Sequence, residues 1–576
     1  MNTVATPSDA AAVANPSTVS STTALSAAAL LAACGGGGGG GGAVETVPPP
    51  VVNPMPQPAG IGREQASRFL SQASLGCTAA DIEQVRSLGY SGWLDAQFAL
   101  PRTSTHVEWL RAKGYDAVTN KNTTAGSNDM LWRKLLSSPD VLRQRVTLAL
   151  SEIIVVSIAG IAATSFKSFA AAAFMDVLEA NAFGSYRTLL GEVSTTPAMG
   201  AYLSFRGNKK ANVVVGSLPD ENYARECMQL FSIGLTDLNL DGTPKLSGGL
   251  PRESYGQADV SQMARVFTGW NVDLSVGSSV AGAETPDRVI RPMVQTASNH
   301  ELGEKRFLGT VIPANTDGVQ SLRLALDALI AHPNAAPFIC RQLIQRLVTS
   351  NPSPAYVARV AAKFLDSGTG PADQRRADLK AVIKAILLDT EARSDAGLTD
   401  PSFGKLREPV LRLVQWARTF GVTSATDEWA IGDLSDPATK LGQSPLRAPS
   451  VFNFFRPGYV PPNSAIATRA LNAPEFQITT ESSVAGYVNY MQKAIASGIA
   501  GLKANTAFLL PLVNDSAALL AELNVLLAAG QLSGTTLASL KTALDTIAVT
   551  TPAGQTNRIN AAVTLVMAAP QYLAQK

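Results

Sequence analysis

The stretch "DMLWRKLLSSPDVLRQRVTLALSEIIVV", residues 129–156, decides the fold class of this sequence. Apolar residues recur at helical spacing on both sides of Pro139, and the proline interrupts the pattern. The stretch therefore predicts two helices joined by a short loop. The same alternation continues along most of the chain, so we expect a mainly α protein with a single large helical body.

Other segments extend this pattern in both directions. In "TAADIEQVRSLGYSGWLDAQF", Thr78 is a predicted N-cap because Asp81 follows it at capping-box spacing. Further helices are predicted at "KLREPVLRLVQWARTF" and "INAAVTLVMAAPQYLAQK". The region from Gly248 to about Pro313 is richer in Ser, Gly and Val, and we expect loops there with a short hairpin at most. No fixed internal period is visible, which argues against a solenoid.

The longest apolar run of the body, residues 148–166, continues the opening stretch as "LALSEIIVVSIAGIAATSF". Glu152 interrupts it, and the uncharged part that follows is shorter than the roughly 20 residues of a membrane-spanning helix. The run therefore predicts a buried helix and not a transmembrane segment.

The composition allows a large core and excludes several classes of protein. Of 576 residues, 46% are hydrophobic and 16% are charged. Lys and Arg number 47 against 45 Asp and Glu, so the bulk charge gives no reason to expect a nucleic-acid partner. The four cysteines are far apart and form no CxxC pair, which argues against a zinc ribbon or a dense disulfide framework.

The front of the chain predicts an exported lipoprotein. Residues 1–33 match a lipoprotein-type signal peptide, and the lipobox ends at Cys34, the predicted lipidation site. The n-region is atypical because Arg63 is the first basic residue. Residues 34–62 are rich in Gly and Pro and predict a disordered tether to a body spanning 63–576. The alternative is a disordered terminus with an accidental cysteine.

A lipidated Cys34 would anchor the protein to a membrane of the cell envelope. Gly, and not Asp, follows the cysteine, which favours the outer membrane by the usual bacterial sorting rule. We therefore expect an outer-membrane lipoprotein that faces the periplasm or the cell surface.

Sequence motifs along the body resemble those of the domain of unknown function 1800 family. They occur in the family's order and include "RFLSQASLGCTAADIEQVRSLGYSGWLDAQF", "PDENYARECMQLFSIGL", "ADVSQMARVFTGW", "NHELGEKRFLG" and "LGQSPLRAPSVFNFFRPGYVPP". The resemblance runs from Arg63 to Gln575. It implies a bacterial, usually exported protein without an assigned activity. It also implies a companion exported protein of the 1501 family, because the two families are often encoded side by side.

The densest polar segment is "SLPDENYARECMQLFSIG", residues 217–234. It predicts a helix that starts at Ser217 with capping-box spacing and ends at Gly234. Asn222, Arg225 and Glu226 share one polar face. One hypothesis is a site wall in which Glu226 is a catalytic acid or base while Asn222 and Arg225 bind substrate. The alternative is a structural network between helices.

The segment "SNHELGEKRFLG" combines His300 with Lys305 in a predicted loop. A histidine beside a carboxylate and near a lysine can act as general base or metal ligand, so both residues are catalytic candidates. Members of the family usually carry Asp after this histidine, whereas this chain has Glu301, one methylene longer. Alternatively, the histidine orders the loop by hydrogen bonding.

The segment "DLNLDGTP" contains a partial calcium-loop pattern. Asp237, Asn239 and Asp241 are at the first, third and fifth positions, and Gly242 is at the sixth. The twelfth position is Gly248, where a calcium loop needs a bidentate Glu. Calcium is therefore a possible cofactor, and the alternative is an Asx-rich turn.

Two aromatic segments could line a groove for a polymer such as a glycan. The first is "FTGW", ending in Trp270, and the second is "PSVFNFFRPGYVPP", which includes Arg456. Trp270 and Arg456 are therefore candidate substrate-binding residues, with core packing as the alternative. The GxSxG, HExxH and GxxxxGK[ST] signatures are missing from the sequence.

Two functional hypotheses follow from these features. The first is an envelope assembly or binding factor that works with another exported protein. The second is a hydrolase or transferase acting on an envelope polymer through Glu226, His300 and Lys305. The second requires these side chains and their polar neighbours to converge on one cleft.

Overall fold

The computed structural model of the protein describes residues 60–278, 280 and 282–576. The predicted signal peptide, Cys34 and nearly all of the predicted tether lie outside the described residues. The described residues fall within one compact unit. That unit is mainly α-helical, which confirms the fold class predicted from the sequence.

The first half of the unit contains the helix pair of the opening stretch, α4 and α5, among eleven helices of the described residues. They are α1 (Arg63–Ala73), α2 (Ala79–Ala99), α3 (His106–Ala112), α4 (Ser127–Ser137), α5 (Val141–Ile153), α6 (Lys167–Asn181), α7 (Tyr186–Val193), α8 (Pro197–Tyr202), α9 (Asn222–Gln229), α10 (Gln257–Ala264) and α11 (Asp287–Ile290). Thr78 caps α2 as predicted, since its side chain accepts a hydrogen bond from the Asp81 backbone N–H.

The second half is also mainly helical, with one long non-helical stretch, residues 420–464. Its helices are α12 (Gly318–Ala331), α13 (Ala335–Leu347), α14 (Pro354–Leu365), α15 (Leu379–Leu388), α16 (Thr390–Arg393), α17 (Ala396–Thr399), α18 (Pro409–Thr419), α19 (Ala465–Thr468), α20 (Glu481–Ser497), α21 (Ser516–Ala528), α22 (Gly534–Asp545), α23 (Pro552–Ala568) and α24 (Pro570–Leu573). No helix in the described part of the chain is long and apolar enough to cross a membrane.

The strands of the described residues form four short antiparallel pairs. Three pairs lie in or at the edge of the region from Gly248 to about Pro313: β1 (Leu246–Ser247) with β2 (Leu250–Pro251), β3 (Trp270–Asn271) with β4 (Val294–Gln295), and β5 (Lys305–Phe307) with β6 (Thr310–Ile312). This is more strand pairing than the short hairpin at most that the sequence predicts there, and the region also contains α10 and α11. The fourth joins β7 (Lys405–Leu406) to β8 (Ala574–Gln575), so the end of the chain is tied to its middle.

The opening stretch contributes to both buried cores of the protein. Met130 of α4 and Val146 of α5 belong to the larger apolar cluster, which includes α1, α2, α6 and α13. Trp132 and Leu148, on the same two helices, belong to the second cluster with α18, α20, α21 and α23. The helix pair therefore packs against both cores, because each helix has apolar residues on more than one face.

The apolar run 148–166 is not helical to its end, so the prediction of one buried helix is wrong beyond Ile153. The chain turns extended at Ile154, and the N–H of Ile158 donates to the carbonyl oxygen of Leu446 (3.0 Å). Four β-branched residues in succession, 153–156, have weak helix propensity because the preceding turn restricts their side chains. The consequence is that Glu152 lies in the last turn of α5.

Helix α9 also starts later than the sequence predicts. Ser217 pairs with Asn212 in a hairpin, and Asp220 accepts a hydrogen bond from the backbone N–H of Asn222, the first helical residue (2.8 Å). Gly234, with φ of +70°, follows the helix and donates its N–H to Met228 O (3.0 Å).

Candidate functional site

A cavity of about 710 Å³ lies where the C-terminal ends of α5 and α9 meet α13 and the aromatic segment at 451–460. This volume is in the range of small-molecule sites. Its wall combines apolar and polar side chains. The polar and aromatic lining residues include Glu152, Gln229, Phe338, Arg341, Gln342, Gln345, Arg346, Phe452, Arg456, Tyr459 and Asn472.

An acidic and a basic side chain meet in a buried part of this wall. Glu152 and Arg346 are both buried, with Arg346 Nη1 at 3.5 Å from Glu152 Oε2. Arg346 Nη2 also donates to the carbonyl oxygen of Glu152 (3.4 Å). The guanidinium group lies over the ring of Phe455, 4.6 Å from its centroid. Glu152 in the last turn of α5 thus meets Arg346 of α13.

Four more buried charges lie behind that pair, and we call the six together the charged floor. Its members are Arg145, Glu152, Arg346, Lys405, Glu408 and Glu475. Lys405 Nζ contacts Glu475 Oε1 (3.0 Å) and Glu408 Oε1 (3.3 Å). The carbonyl oxygen of Arg346 accepts hydrogen bonds from Lys405 Nζ (2.9 Å) and Arg145 Nη2 (2.6 Å). Three carboxyl groups thus meet three cations away from solvent.

The charged floor shifts the pKa values of two neighbouring carboxyl groups, Glu152 and Glu408, in opposite directions. Burial and the nearby Glu408 carboxylate raise the pKa of Glu152 well above its usual value. Burial also opposes ionisation of Glu408, but the Lys405 ammonium and a hydrogen bond with Glu152 outweigh it and hold the pKa of Glu408 low. Glu152 is therefore the group that keeps a proton, and Glu408 is the ionised partner.

Hydrogen bonding within the cavity is incomplete. Glu152 Oε2 and Arg346 Nη1 are buried and have no hydrogen-bond partner, although they face each other. Gln342 Nε2, also in the cavity wall, is buried and unpartnered as well. Buried polar atoms are normally satisfied, so these three atoms are exceptions, and two of them meet only in the long Glu152–Arg346 contact.

Two further arginines give the cavity a positive character. Arg341 and Arg456 line it, and neither forms an ion pair with a carboxylate in the described part of the chain. Arg341 is partly buried, and burial lowers its pKa. The guanidinium group of Arg456 lies over the ring of Phe452, 4.5 Å from its centroid. A bound anion would neutralise these cations and supply acceptors for their N–H groups.

Of the residues predicted from the sequence, Arg456 lies in this cavity, together with the aromatic rings of its segment. Glu226 lies outside the cavity lining. It is buried with Oε2 unpartnered, and burial raises its pKa while Arg225 partly offsets that effect. Its electrostatic neighbours include the hydroxyls of Tyr202 and Tyr255. Glu226 precedes Gln229 and Leu230 by three and four residues, a spacing that puts all three on one side of α9, but only Gln229 and Leu230 line the cavity.

His300 and Lys305 lie close together but in a saturated interior. The Nδ1 atom of His300 is 3.0 Å from Thr268 O, and Nε2 is 3.2 Å from Ser321 Oγ. Burial lowers the pKa of His300, so its ring is neutral. Burial and the nearby Arg265 lower the pKa of Lys305 to about 8, and its Nζ donates to Gly303 O (3.3 Å). Neither residue lines the cavity.

The remaining binding candidates take part in local packing. Arg225 pairs with Glu221 (3.0 Å), and Asn222 Nδ2 donates to Ser204 Oγ (3.3 Å). Trp270 is buried in β3, and its Nε1 has no hydrogen-bond partner. The structure therefore does not bring Asn222, Arg225, Glu226, His300 and Lys305 together at the cavity.

The predicted calcium loop is held by protein donors. Both oxygens of Asp237 are engaged, one by Lys245 Nζ (3.0 Å) and the other by Arg252. Asp241 Oδ1 accepts from the N–H of Thr243 (2.9 Å), and Asn239 Nδ2 donates to the Thr243 hydroxyl (3.0 Å). These contacts are those of an Asx-type turn, the alternative interpretation of the pattern.

One other group has metal-type ligands in the described residues, namely His106, Asp176 and Glu179. His106 Nδ1 lies 2.7 Å from Asp176 Oδ1, and Glu179 Oε1 is paired with the buried Lys134 (2.8 Å). An ammonium group at this distance neutralises the glutamate and opposes a bound cation. The cluster is therefore a structural ion-pair network.

Sequence reasoning missed the charged floor. In the sequence, Glu152 interrupts an apolar run, and a single carboxylate in such a run is a signal for a buried functional or structural charge. The helical periodicity of the surrounding segments does not reveal that Arg346, Lys405 and Glu408 lie close together in the fold. Their convergence depends on contacts that span 59 residues between Arg346 and Lys405, 194 between Glu152 and Arg346, and 201 between Arg145 and Arg346.

The comparisons with known proteins give one match. A family whose description reads "Protein of unknown function (DUF1800)" matches residues 68–574. No curated protein and no solved structure matches the chain. The match covers the charged floor, the cavity and the predicted site residues of the body.

Proposed function

The chain belongs to the DUF1800 family, and we propose that it is an exported binding protein of the bacterial cell envelope. Its ligand carries an anionic group, phosphate or carboxylate, that enters the cavity. This proposal develops the binding-factor hypothesis and makes the cavity its site.

The arginines of the cavity carry this proposal. Arg341 and Arg456 line a volume of about 710 Å³ without a carboxylate partner, and Arg346 has an N–H without an acceptor. Unpaired cations around a concave, partly apolar surface favour an anionic ligand, since charge-assisted hydrogen bonds strengthen where water is excluded. The rings of Phe452 and Tyr459 provide apolar faces for the rest of the ligand.

Binding of two simple anions tests this proposal. Glycerol 3-phosphate and glucuronate present the two anionic groups, and glucose is the neutral probe; isothermal titration calorimetry measures each. A charged hydrogen bond is worth about 1.5–3 kcal/mol, so Arg341→Met and Arg456→Met should each weaken anion binding by about 10- to 100-fold. Arg323→Met is the matched control, because Arg323 is an exposed arginine paired with Asp327 on α12.

Two results would count against the cavity as an anion site. One is an affinity for glucose equal to that for both anions. The other is unchanged anion binding in both cavity variants, or an equal loss in Arg323→Met, which would indicate non-specific charge attraction.

The envelope location rests on the lipobox at Cys34 and the tether that follows. We propose that the protein is lipidated there, resides at the outer membrane and works with an exported protein of the 1501 family. Radiolabelled palmitate should enter wild type but not Cys34→Ala, and globomycin should block processing. An unlabelled wild type would refute the anchor. Co-purification of a 1501-family protein with the tagged wild type tests the partner.

A second candidate function is catalysis on an envelope polymer, and the Glu152–Glu408 pair favours it. A neutral carboxyl group beside an ionised one is the arrangement in which one group can donate a proton. Glu152→Gln preserves size and polarity but removes the acidic proton. If the protein is an enzyme, this variant should bind the ligand and fail to restore envelope composition in a deletion strain. If Glu152→Gln fully restores envelope composition, catalysis by Glu152 is refuted and only the binding role is left.

The same strain tests the catalytic residues predicted from the sequence. Glu226→Gln and His300→Ala should both restore envelope composition if the cavity is the site, because neither side chain lines it. If a correctly folded Glu226→Gln protein fails to restore envelope composition, the catalytic site is at α9 and not at the cavity.

A further inference from the structure

A hairpin at residues 212–218 projects apolar side chains into solvent. Val213, Val214, Val215 and Leu218 are 93%, 90%, 72% and 82% exposed, far beyond the scattered exposure normal for single apolar residues. We call residues 212–218 the apolar finger. Four aliphatic side chains so close in sequence form a contiguous patch, and such patches mark interaction surfaces.

The finger is closed by its own hydrogen bonds. The N–H of Asn212 donates to Ser217 O (2.9 Å), and the N–H of Ser217 donates back to Asn212 O (3.1 Å). The side-chain oxygen of Asn212 also accepts from the N–H of Val214 (3.0 Å). These bonds satisfy part of the backbone internally, which is a requirement for entering an environment poor in water.

Hydrogen bonds fasten the base of the finger to the body. Asn208 and Asp220 exchange two hydrogen bonds across it (3.0 and 3.3 Å). The N–H of Gly207 donates to Trp270 O (2.7 Å), and the N–H of Lys210 donates to Asn299 O (2.8 Å). The segments that include Trp270 and His300 therefore hold the finger in place.

Among the described residues, more positive than negative side chains without an ion-pair partner lie next to the finger. Lys209 and Lys210 are exposed on its stem and form no ion pair in the described residues. Of the nearby acids, Glu221 pairs with Arg225 (3.0 Å) and accepts from Ser261 Oγ (2.5 Å), whereas Asp220 accepts from Ser204 Oγ (3.0 Å) and has no cationic partner among the described residues. Two lysines and one acid without a cationic partner, Asp220, leave a net positive charge at the base of the finger.

We propose that the apolar finger docks on an anionic lipid bilayer. The valines enter the boundary between headgroups and acyl chains, and Lys209 and Lys210 contact lipid phosphates. Apolar tips flanked by lysines suit this surface because the lysines remain at the headgroups while the aliphatic groups leave water. This inference depends neither on the cavity ligand nor on the lipid at Cys34.

A membrane fits the finger better than a protein partner does. Stable protein interfaces involve about 20 to 30 residues a side and are enriched in Tyr and Trp, whereas the finger has seven residues and no aromatic one.

Vesicle co-sedimentation of the full chain carrying Cys34→Ala tests the proposal, because this background excludes acylation. The vesicles contain phosphatidylglycerol and phosphatidylethanolamine, with phosphatidylcholine vesicles for comparison. We expect binding to the anionic vesicles that decreases with salt. Val213→Asp with Val214→Asp should weaken it by at least about 100-fold, since each buried valine is worth roughly tenfold. Lys209→Gln should weaken it about fivefold.

Val319→Asp is the matched control. Val319 is also exposed, but it lies in the first turn of α12, where a carboxylate is favourable. This variant should bind vesicles as the parent does. The proposal is overturned if the parent fails to sediment with anionic vesicles, or if the double aspartate variant sediments equally well. A photocrosslinker at position 214 that captures one protein and no lipid in cells would also overturn it.

Discussion

Removal of Lys405 should destabilise the protein more than removal of any exposed lysine. Its ammonium group is completely buried and contacts Glu475 (3.0 Å), Glu408 (3.3 Å) and the carbonyl oxygen of Arg346 (2.9 Å). Lys405→Met preserves most of the side-chain volume and removes the charge. It leaves two buried carboxyl groups without their shared cation.

The expected loss at pH 7.5 is about 3–5 kcal/mol in the free energy of unfolding, the range for breaking one partner out of a buried ion pair. The control is Lys541→Met, because Lys541 pairs with Asp545 on α22 with both side chains nearly half exposed. Exposed pairs of this type contribute less than about 1 kcal/mol. Adding Glu475→Gln to Lys405→Met should recover part of the loss, since one uncompensated charge then disappears.

The loss should shrink in acid. In wild type, burial opposes ionisation of Glu408, but Lys405 lowers the pKa below its usual value of about 4.3, so the stabilisation is present above that pH and is lost below it. In Lys405→Met, the ammonium group that lowers the pKa values of Glu408 and Glu475 is missing. Burial then raises the pKa values of both carboxyl groups. Raised carboxyl pKa values favour the folded state below about 4.3 and oppose it as the pH rises.

Equilibrium urea unfolding at pH 7.5 and 4.5 measures this difference. Tryptophan fluorescence is a suitable signal because Trp132 and Trp416 are buried in the second core. The reasoning is refuted if Lys405→Met loses no more stability at pH 7.5 than Lys541→Met. It is equally refuted if the loss is the same at both pH values, because the carboxyl groups would then not be responsible.

Three further predictions concern the cavity and the core. Burial and Glu408 raise the pKa of Glu152, so wild type should lose stability as the pH rises above about 4.3, and urea unfolding of Glu152→Gln should lack this decline. Gly234→Ala should lower the unfolding free energy by about 1–3 kcal/mol, because φ is +70° and the new Cβ would meet the Phe338 ring at 2.5 Å. Burial raises the pKa of Cys77 to about 12, and with it all three thiols of the described body are buried; a thiol reagent at pH 8 should therefore react about 100-fold faster in urea than in the folded protein.

Local sequence patterns predicted the class of fold and many of its elements. Thr78 caps its helix as expected, because a cap depends on neighbours three residues away. The helix pair around Pro139 was predicted for the same reason. The predicted helix through 148–166 was wrong beyond Ile153, since apolar composition does not distinguish a buried helix from buried extended chain.

The sequence by itself determined a helical body, its turns and caps, and the family to which the chain belongs. Only the tertiary structure decided where function can reside. Glu152, Arg346 and Glu408 meet because α5, α13 and the start of α18 pack together, and no periodicity encodes that meeting. Conversely, His300 and Asp237 have reactive side chains, but their neighbours satisfy them. The physical reason is that chemistry depends on burial and on partners distant in sequence, whereas a sequence pattern reports only nearby residues.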